Sequence, residues 1–243
     1  MTVFAESPAS AAAFAQASWA DIEPLYAELA SRPIDAESIE AWLAEWSRLE
    51  AMITEAASLA MIAYTCDTGD DQKQADHLRF STKIIPKVEE QTVVLAKRLL
   101  ESGHAGDGLA TTIQRFRIQI DIFREENVPL FSILEGLNSQ YQEVTGGLSV
   151  AWNGEDLPLP KLQPFLKSPD REVRERAFRA TSDAYLGVKQ PLTTLFDRMY
   201  RLRQDIAGNA GFPDYQAFTF QAKHRFDYTA EDCARFHDAV EAT

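Results

Sequence analysis

Residues 42–63 read WLAEWSRLEAMITEAASLAMIA, and this stretch decides the fold. Apolar residues recur in it at alternating steps of four and three, a spacing that places them on one face of an α-helix. These positions are Trp42, Trp46, Leu49, Ile53, Ala56, Ala60 and Ala63. The stretch therefore predicts a long helix with one buried face, and it predicts Trp42 and Trp46 in the hydrophobic core.

The same helical spacing recurs along most of the chain. Apolar residues keep it within residues 109–123, 130–148 and 173–206. Sustained alternation of apolar and polar residues, which is typical of half-buried strands, is hard to find. The sequence therefore predicts an all-α fold.

Signals for helix ends support this fold class. Ser168 followed by Pro169 predicts an N-cap and a first helical turn, and residues 229–232 (TAED) predict a capping box before the last helix. Pro86 and Pro191 fall inside helical patterns, where proline kinks or breaks a helix.

Two stretches interrupt the helical pattern. Residues 103–108 contain three glycines and predict a loop, and residues 152–164 (WNGEDLPLPKLQP) predict an irregular segment. We therefore divide the chain into an N-terminal helical region at residues 1–151, an irregular connection at 152–167, and a second helical region at 168–243.

Charge and cysteine content exclude several classes of partner. The net charge of −13 argues against nucleic acid and against anionic membranes, because both are bound by clustered Lys and Arg. Cys66 and Cys233 lie far apart without a C-x-x-C partner, so we expect no disulfide framework and a location in the reducing cytoplasm. No Lys or Arg precedes Arg32, so a secretory signal is not expected, and the apolar run at 56–64 is too short to span a bilayer.

Candidate residues for chemistry are few. None of the four histidines lies in an H-E-x-x-H motif, and no G-x-S-x-G motif is present. His237 and Glu241 are spaced by one helical turn, which is more typical of a surface pair than of a metal site. Cys66 and Cys233 are interpreted as partly buried, inert thiols, and Glu89-Glu90 as ordinary exposed helix residues. We assign no catalytic residue and no metal ligand to this chain.

The segment at residues 198–240 combines three short motifs. Arg198 and Arg201 form R-x-x-R, residues 207–215 follow A-x-x-x-G-F-x-x-Y, and residues 225–229 follow R-x-D-Y-T. In this order they resemble the oligoendopeptidase F branch of the thimet-oligopeptidase-like zinc metallopeptidases. Three earlier stretches are similar to the same family: SWADIEPLY at 18–26, AYTCDT at 63–68 and DREVRERA at 170–177.

The resemblance covers only the N-terminal portion of such an enzyme. It implies a helical, two-lobed clamshell whose deep channel holds Zn²⁺ and cuts short peptides, with this chain supplying long antiparallel helices that form one lobe and part of the channel wall. The zinc would belong to the complete enzyme, since the H-E-x-x-H helix is not in this sequence. We expect the native chain to continue past Thr243 into the missing C-terminal catalytic portion, and this chain alone to be inactive.

The candidate substrate-binding residues are Arg225 and Tyr228. Residues 223–225 (KHR) form a cationic group just before a predicted helix, where they could meet a peptide carboxylate. Pairing with acids of a neighbouring helix is the more ordinary role for such a group. The preceding aromatic residues at 212–220 could line a peptide groove, although packing against neighbouring helices is the more common use of such a cluster.

Two functions from different classes agree with this sequence. One is the wall-forming portion of a zinc oligopeptidase, and the alternative is a free-standing helical peptide-binding or scaffold protein without catalytic activity. A third arrangement, in which two separately encoded pieces assemble into one active enzyme, also remains open. The length of the reading frame beyond residue 243 distinguishes them.

Overall fold

The structure, a computed structural model, describes residues 10–104 and 107–243, which are mostly helical. This confirms the predicted fold class. The described residues form ten α-helices, which are α1 (Trp19–Ser31), α2 (Ile39–Cys66), α3 (Asp71–Arg79), α4 (Ile85–Ser102), α5 (Ala110–Ile122), α6 (Asn127–Gly146), α7 (Arg171–Gly187), α8 (Lys189–Asn209), α9 (Tyr215–Ala222) and α10 (Ala230–Glu241).

The main hydrophobic core joins α1, α2 and α4. Trp42 and Trp46 lie in it, with 2% and 3% of their surface exposed, as predicted. The Trp42 Nε1–H donates a hydrogen bond to the carbonyl of Leu29 in α1 at 3.0 Å, and Trp46 stacks on Phe116 of α5 with ring centroids 4.9 Å apart. The indole groups therefore fix α2 against both α1 and α5.

The buried stripe of α2 changes course near its C-terminal end. Ala63, the last residue of the predicted stripe, is exposed, and Tyr64 is buried instead. The Tyr64 hydroxyl donates to the carbonyl of Ser139 in α6 at 3.0 Å, and its ring stacks on His77 of α3. This end of α2 therefore packs on α3 and α6 rather than on the main core.

Helices α3 and α4 are joined by one wider π-helical turn, Phe80–Ile84, immediately before Pro86. Proline has no N–H for the carbonyl four residues earlier, which is that of Thr82. The Ser132 hydroxyl of α6 donates to this carbonyl at 3.1 Å. The helix continues through Pro86 without a break, after the one wider turn, and α6 provides a hydrogen bond where the proline cannot.

The segment expected to be irregular contains a β-hairpin, so that expectation is wrong in part. Strands β1 (Ser149–Trp152) and β2 (Glu155–Pro158) pair antiparallel. Their turn is Asn153-Gly154, and both residues have positive φ, as a tight two-residue hairpin turn requires. Short 3₁₀ turns follow at Leu159–Leu162 and Phe165–Lys167.

The predicted N-cap of α7 is wrong by two residues. Ser168 is extended, as an N-cap residue also is, but the first helical residue is Arg171 rather than Pro169. Asp170 is the N-cap, and its carboxylate accepts a hydrogen bond from the Glu172 N–H at 2.8 Å. The capping box at the start of α10 is confirmed, since Thr229 and Asp232 exchange side-chain to backbone hydrogen bonds. Pro191 lies in the first turn of α8, after the break at Val188.

Two remaining expectations concern residues that lie partly outside the described ranges. Gly103 ends α4 in the left-handed conformation, whereas residues 105 and 106 of the predicted loop lie outside the described residues. Residues 1–9 also lie outside the described residues, and the expectation of no secretory signal rests partly on them. Among the described residues, no helix is long and apolar enough to cross a membrane. The division at residues 151 and 167 stays a prediction.

Helices α6 and α8 are joined by a buried amide. Asn127, with 2% of its surface exposed, donates through Nδ2 to the Ile206 carbonyl at 3.0 Å. Its Oδ1 accepts from Nδ2 of Asn209 at 2.8 Å. Both hydrogen bonds of the Asn127 side chain therefore cross from α6 to α8.

We predict that Asn127→Ala lowers the free energy of unfolding by about 2 kcal/mol, since it removes both bonds and leaves a small cavity. Asn209→Ala is the matched control, because it removes only the second bond, at a less buried position. Asn209→Ala should lower the free energy of unfolding by about half as much as Asn127→Ala. Urea denaturation followed by circular dichroism measures both, and equal losses would contradict this account.

Candidate functional site

A cleft of about 470 Å³ opens between α2, α4, α5, α6 and α9. This volume is within the usual range for small-ligand sites. One part of its lining is apolar and includes Ile85, Val88, Val93, Ile122, Phe131 and Phe218. The polar part includes Glu50, Glu89, Gln119, Arg124, Thr219, Lys223 and His224. A surface of this mixture suits a peptide, which offers both side chains and backbone polar groups.

Glu50 is the most firmly held acid of the cleft. Its Oε1 accepts hydrogen bonds from Nε1 of Trp46 at 2.6 Å and from the Thr92 hydroxyl at 2.8 Å. These bonds come from α2 itself and from α4, so the carboxylate is fixed in one orientation. Glu50 is not among the residues predicted from the sequence, although its spacing of four residues from Trp46 on one helix was a usable signal.

Glu89 is exposed, as expected, but its pKa differs from that of an ordinary acid. It retains solvent-exposed surface, but the surrounding walls of the cleft and, secondarily, the negative charge of Glu135 raise its pKa to about 7. Burial disfavours the charged form of a carboxyl group, and a nearby like charge adds to that effect. The sequence gives no signal for this shift, because the walls come from several helices.

The Glu89 carboxyl should make stability depend on pH. Its proton is bound more tightly in the folded chain, with a pKa of about 7, than at the ordinary value of 4.5. Ionisation of Glu89 therefore lowers the free energy of unfolding progressively as the pH rises from about 4.5 to about 7. Above this range the full loss is present. We predict that Glu89→Gln raises the melting temperature at about pH 8 and that the gain shrinks towards about pH 5.

The control for this prediction is Glu90→Gln. Glu90 is half-buried rather than exposed, and it forms an ion pair with exposed Lys87 at 2.9 Å, so its removal should give no gain in melting temperature. Thermal melts of the three proteins at both pH values decide the question. A gain for Glu89→Gln that is the same at both pH values would contradict the assigned shift.

Helix α9 is placed by the way in which α8 ends. The Phe212 N–H bonds the Ala207 carbonyl at 2.9 Å, and the Gly211 N–H bonds the Gly208 carbonyl at 3.0 Å. With Gly211 at a φ of 83°, this is a Schellman motif, in which glycine readily adopts the left-handed position. The A-x-x-x-G-F motif of the sequence is therefore a helix-ending motif that redirects the chain into α9.

The aromatic residues at 212–220 mainly pack against one another. Phe218 is buried in a second core with Leu134 and Ile206, and it contacts the rings of Phe212 and Tyr215. This agrees with the more common of the two roles weighed for the cluster. Phe218 and Tyr215 also line the cleft, so contact with a peptide stays a prediction.

Helix α9 ends in a second Schellman motif, with His224 in the left-handed position. Its φ is 53°, which is uncommon for a residue other than glycine. The Arg225 N–H bonds the Phe220 carbonyl at 3.2 Å, and the His224 N–H bonds the Gln221 carbonyl at 2.8 Å. Burial is the main cause that lowers the pKa of His224, and the positive charge of Arg115 is the second cause. Its ring is therefore held towards the neutral form beside the cleft.

The structure brings Arg225 and Tyr228 together. The Arg225 guanidinium lies over the ring of Phe220 at 4.7 Å and over the ring of Tyr228 at 5.6 Å. Neither candidate residue lines the cleft, but Lys223 and His224 do. Pairing of Arg225 with an acid of a neighbouring helix, the alternative expectation, does not occur within the described residues.

The described residues do not fit a metal site. No group of three or more His, Cys, Asp or Glu among them could hold a metal ion. Cys66 is exposed rather than partly buried, and Cys233 is half-buried, each as a free thiol. His237 and Glu241 are exposed near the end of α10. No reaction step can be derived through a metal bound by these residues.

Comparison with protein families gives a match over the front helices. Residues 10–114 match the Peptidase M3 N-terminal domain. This M3 match runs from the first described residue into α5, and it agrees with the resemblance seen in the sequence motifs. The comparison with curated proteins gives no significant match.

Solved structures extend the similarity beyond the M3 match. PZ peptidase A with inhibitor 2 is 21% identical with a TM-score of 0.84, and an oligoendopeptidase F from Bacillus anthracis str. Ames is 18% identical with a TM-score of 0.86. A further structure described as oligoendopeptidase F is 22% identical with a TM-score of 0.87. Each match covers 93% of this chain but only 41–42% of the other chain.

Because sequence identity is low in all three comparisons, these matches establish the fold alone. The chain spans about two fifths of the length of these structures and corresponds to their N-terminal part. The predicted helical lobe is therefore confirmed as a fold. The similarity says nothing by itself about the role of Arg225, Tyr228 or the cleft.

Proposed function

We propose that this chain is the N-terminal helical portion of a zinc-dependent oligopeptidase that hydrolyses short peptides inside a deep channel. The observation that carries the proposal is the M3 match at residues 10–114, together with 93% coverage of this chain by oligoendopeptidase F structures. In this function the chain forms part of the channel wall. Zinc and the catalytic groups belong to sequence outside it, since its described residues offer no metal site.

The cleft supports the role of a channel wall. Its lining combines apolar side chains of α4 and α6 with fixed or perturbed polar groups, of which Glu50 and Glu89 are the clearest. A wall of packed helices admits an extended peptide but excludes a folded protein. Selection by peptide length, more than by sequence, follows from such a shape.

Exposed apolar side chains indicate where the missing portion packs. Six large apolar residues on α7, α8 and α10 are each more than half exposed, and they are Phe178, Leu186, Phe196, Tyr200, Phe236 and Val240. Helix α10 has no buried residue at all. Contiguous apolar surface marks interaction sites in soluble proteins, and the ring of Phe196 stacks on that of Tyr200. We assign these six residues, hereafter the α7–α8–α10 face, to contact with the catalytic portion.

We propose the reducing cytoplasm as the location of this protein, because both described cysteines are free thiols. Short peptides are the proposed substrates of the complete protein, by analogy with the oligoendopeptidase F structures that share this fold.

The main test compares this chain with the product of its complete reading frame. The 243-residue chain should neither bind zinc stoichiometrically nor hydrolyse a fluorescence-quenched peptide, because its described residues lack a metal site. A reading frame that continues into an H-E-x-x-H motif should encode a product that does both. Replacing the Glu of that motif by Gln is the matched control, and it should abolish hydrolysis while retaining zinc.

Two results would contradict this proposal. Zinc-dependent turnover by a clean preparation of the 243-residue chain would show that the active site lies within it. A stop codon directly after Thr243 would favour the free-standing peptide-binding protein, for which the cleft would be the candidate binding site. Activity that appears only on mixing with a second gene product would show two separately encoded pieces.

The α7–α8–α10 face gives a second prediction. In the complete product, Phe236→Ser should lower the melting temperature and weaken activity, because it removes a large apolar contact worth about 2 kcal/mol. In the 243-residue chain the same change should have little effect, since Phe236 is 65% exposed there. Leu59→Ser on α2, at a residue 56% exposed, is the control and should be neutral in both proteins. Equal effects of Phe236→Ser in both proteins would contradict the assignment.

A further inference from the structure

We infer that Arg225 and Tyr228 form a carboxylate-binding site. The guanidinium of Arg225, held against the rings of Phe220 and Tyr228, presents its unused N–H donors to a carboxylate group of a peptide. The inference rests on the proposed function only in its choice of peptides as ligands.

The backbone fixes the base of this site. In the Schellman motif that ends α9, the Arg225 N–H bonds the Phe220 carbonyl at 3.2 Å. Such motifs usually bring an apolar side chain at this position against the last turn of the helix. Here the guanidinium takes that place and lies 4.7 Å from the centroid of the Phe220 ring. The position of Arg225 is therefore set by helix geometry as well as by its side-chain rotamer.

The two rings meet edge-to-face, with centroids 6.0 Å apart, and leave N–H donors of the guanidinium available. A ring that stacks on the group covers one of its faces, whereas its five N–H donors lie in the plane and match a carboxylate in a bidentate arrangement. Within the described residues, the Arg225 guanidinium makes no hydrogen bond and no ion pair. The hydroxyl of Tyr228, on a residue 41% exposed, likewise has no partner there.

An unpaired arginine is common on a surface, but a half-buried one is not. In the described part of the chain, Arg203 and Arg225 are the two half-buried arginines without a hydrogen bond or an ion pair. Arg203 lies over one ring, that of Tyr215, at 5.7 Å. Arg225 differs in lying over two rings, one of which carries a free hydroxyl.

The acidic residues that follow Arg225 in the chain do not pair with its guanidinium. Asp227 and Glu231 are exposed, and neither forms an ion pair with Arg225. Asp232 is committed to the cap of α10 and to Arg235. The site therefore offers donors without an acceptor in an otherwise acidic chain, which is the complement of an anion.

The position of the site suits a peptide that lies in the cleft. Lys223 and His224 line the cleft, and Arg225 follows them directly in the chain. A carboxylate bound here would be either the C-terminus of a peptide or an Asp or Glu side chain within it. Both have the same chemistry, so the experiment separates them.

The test uses three peptides of equal length and otherwise apolar sequence. One has a free C-terminus, the second is C-terminally amidated with one internal Glu, and the third is amidated without Glu. Binding to the 243-residue chain is followed through the Nε–Hε cross-peak of Arg225 in ¹⁵N-edited NMR spectra, assigned by its loss in Arg225→Lys. At least one of the two carboxylate peptides should shift this cross-peak and bind about tenfold more tightly than the neutral peptide.

Variants connect the binding to the site. Arg225→Gln should remove the tenfold preference, and Tyr228→Phe, which keeps the ring but not the hydroxyl, should reduce it. Arg203→Gln is the matched control and should retain it. Thermal melts of each variant show whether the fold is intact, and Arg225→Lys provides a second variant with the charge preserved but the planar donor group lost.

The outcomes are distinct. Preference for the free C-terminus or for the internal Glu identifies the source of the carboxylate, and either result supports the site. Equal binding of all three peptides, or a preference unchanged in Arg225→Gln, overturns it. Peptide binding that ignores the carboxylate would leave the proposed wall function intact, whereas carboxylate binding here without hydrolysis by the complete product would contradict the peptidase and keep this site.

Discussion

The geometry of the site depends on two reversals of the backbone, at Gly211 and at His224. Both residues have positive φ, and each closes a Schellman motif at the end of a helix. Between them lies α9, which at eight residues is too short to be stable alone. Phe218 anchors it in the core between α6 and α8. These two turns and one buried ring therefore place the side of the cleft that α9 provides.

The helical fold could be predicted because its signals are local and repeated. Apolar spacing within one helix identified α2 and its two buried tryptophans without knowledge of any neighbour. The errors have physical reasons that are just as local. Asn153-Gly154 directly after the apolar residues 150–152 was a hairpin signal, but the acidic residues 155–156 and the prolines that follow obscured it. At Ser168 the error arose because Asp170, two residues later, is as good a capping residue as serine.

The cleft could not be predicted, because its properties arise between helices. Glu89 has a perturbed pKa through the walls around it and through Glu135 of α6, and nothing in the sequence near Glu89 indicates either. Arg225 and Tyr228 are different. They belong to one short motif, and the ring of Phe220 is brought to Arg225 by the local rule that ends a helix. Their contact was therefore accessible from sequence, while their ligand was not.

Helix α10 connects this site with the missing portion of the proposed enzyme. Its capping box and acidic first turn are worth about 1–2 kcal/mol. Those terms oppose the entropy of ordering a helix that buries no residue of its own. A partner packed on the exposed Phe236 and Val240 would supply the burial that α10 lacks. Tyr228 lies two residues before this helix, so a partner that also covers Tyr228 would remove water from beside the Arg225 guanidinium, which lies over that ring. Charge-assisted hydrogen bonds strengthen as water is excluded, so assembly and carboxylate binding would reinforce each other.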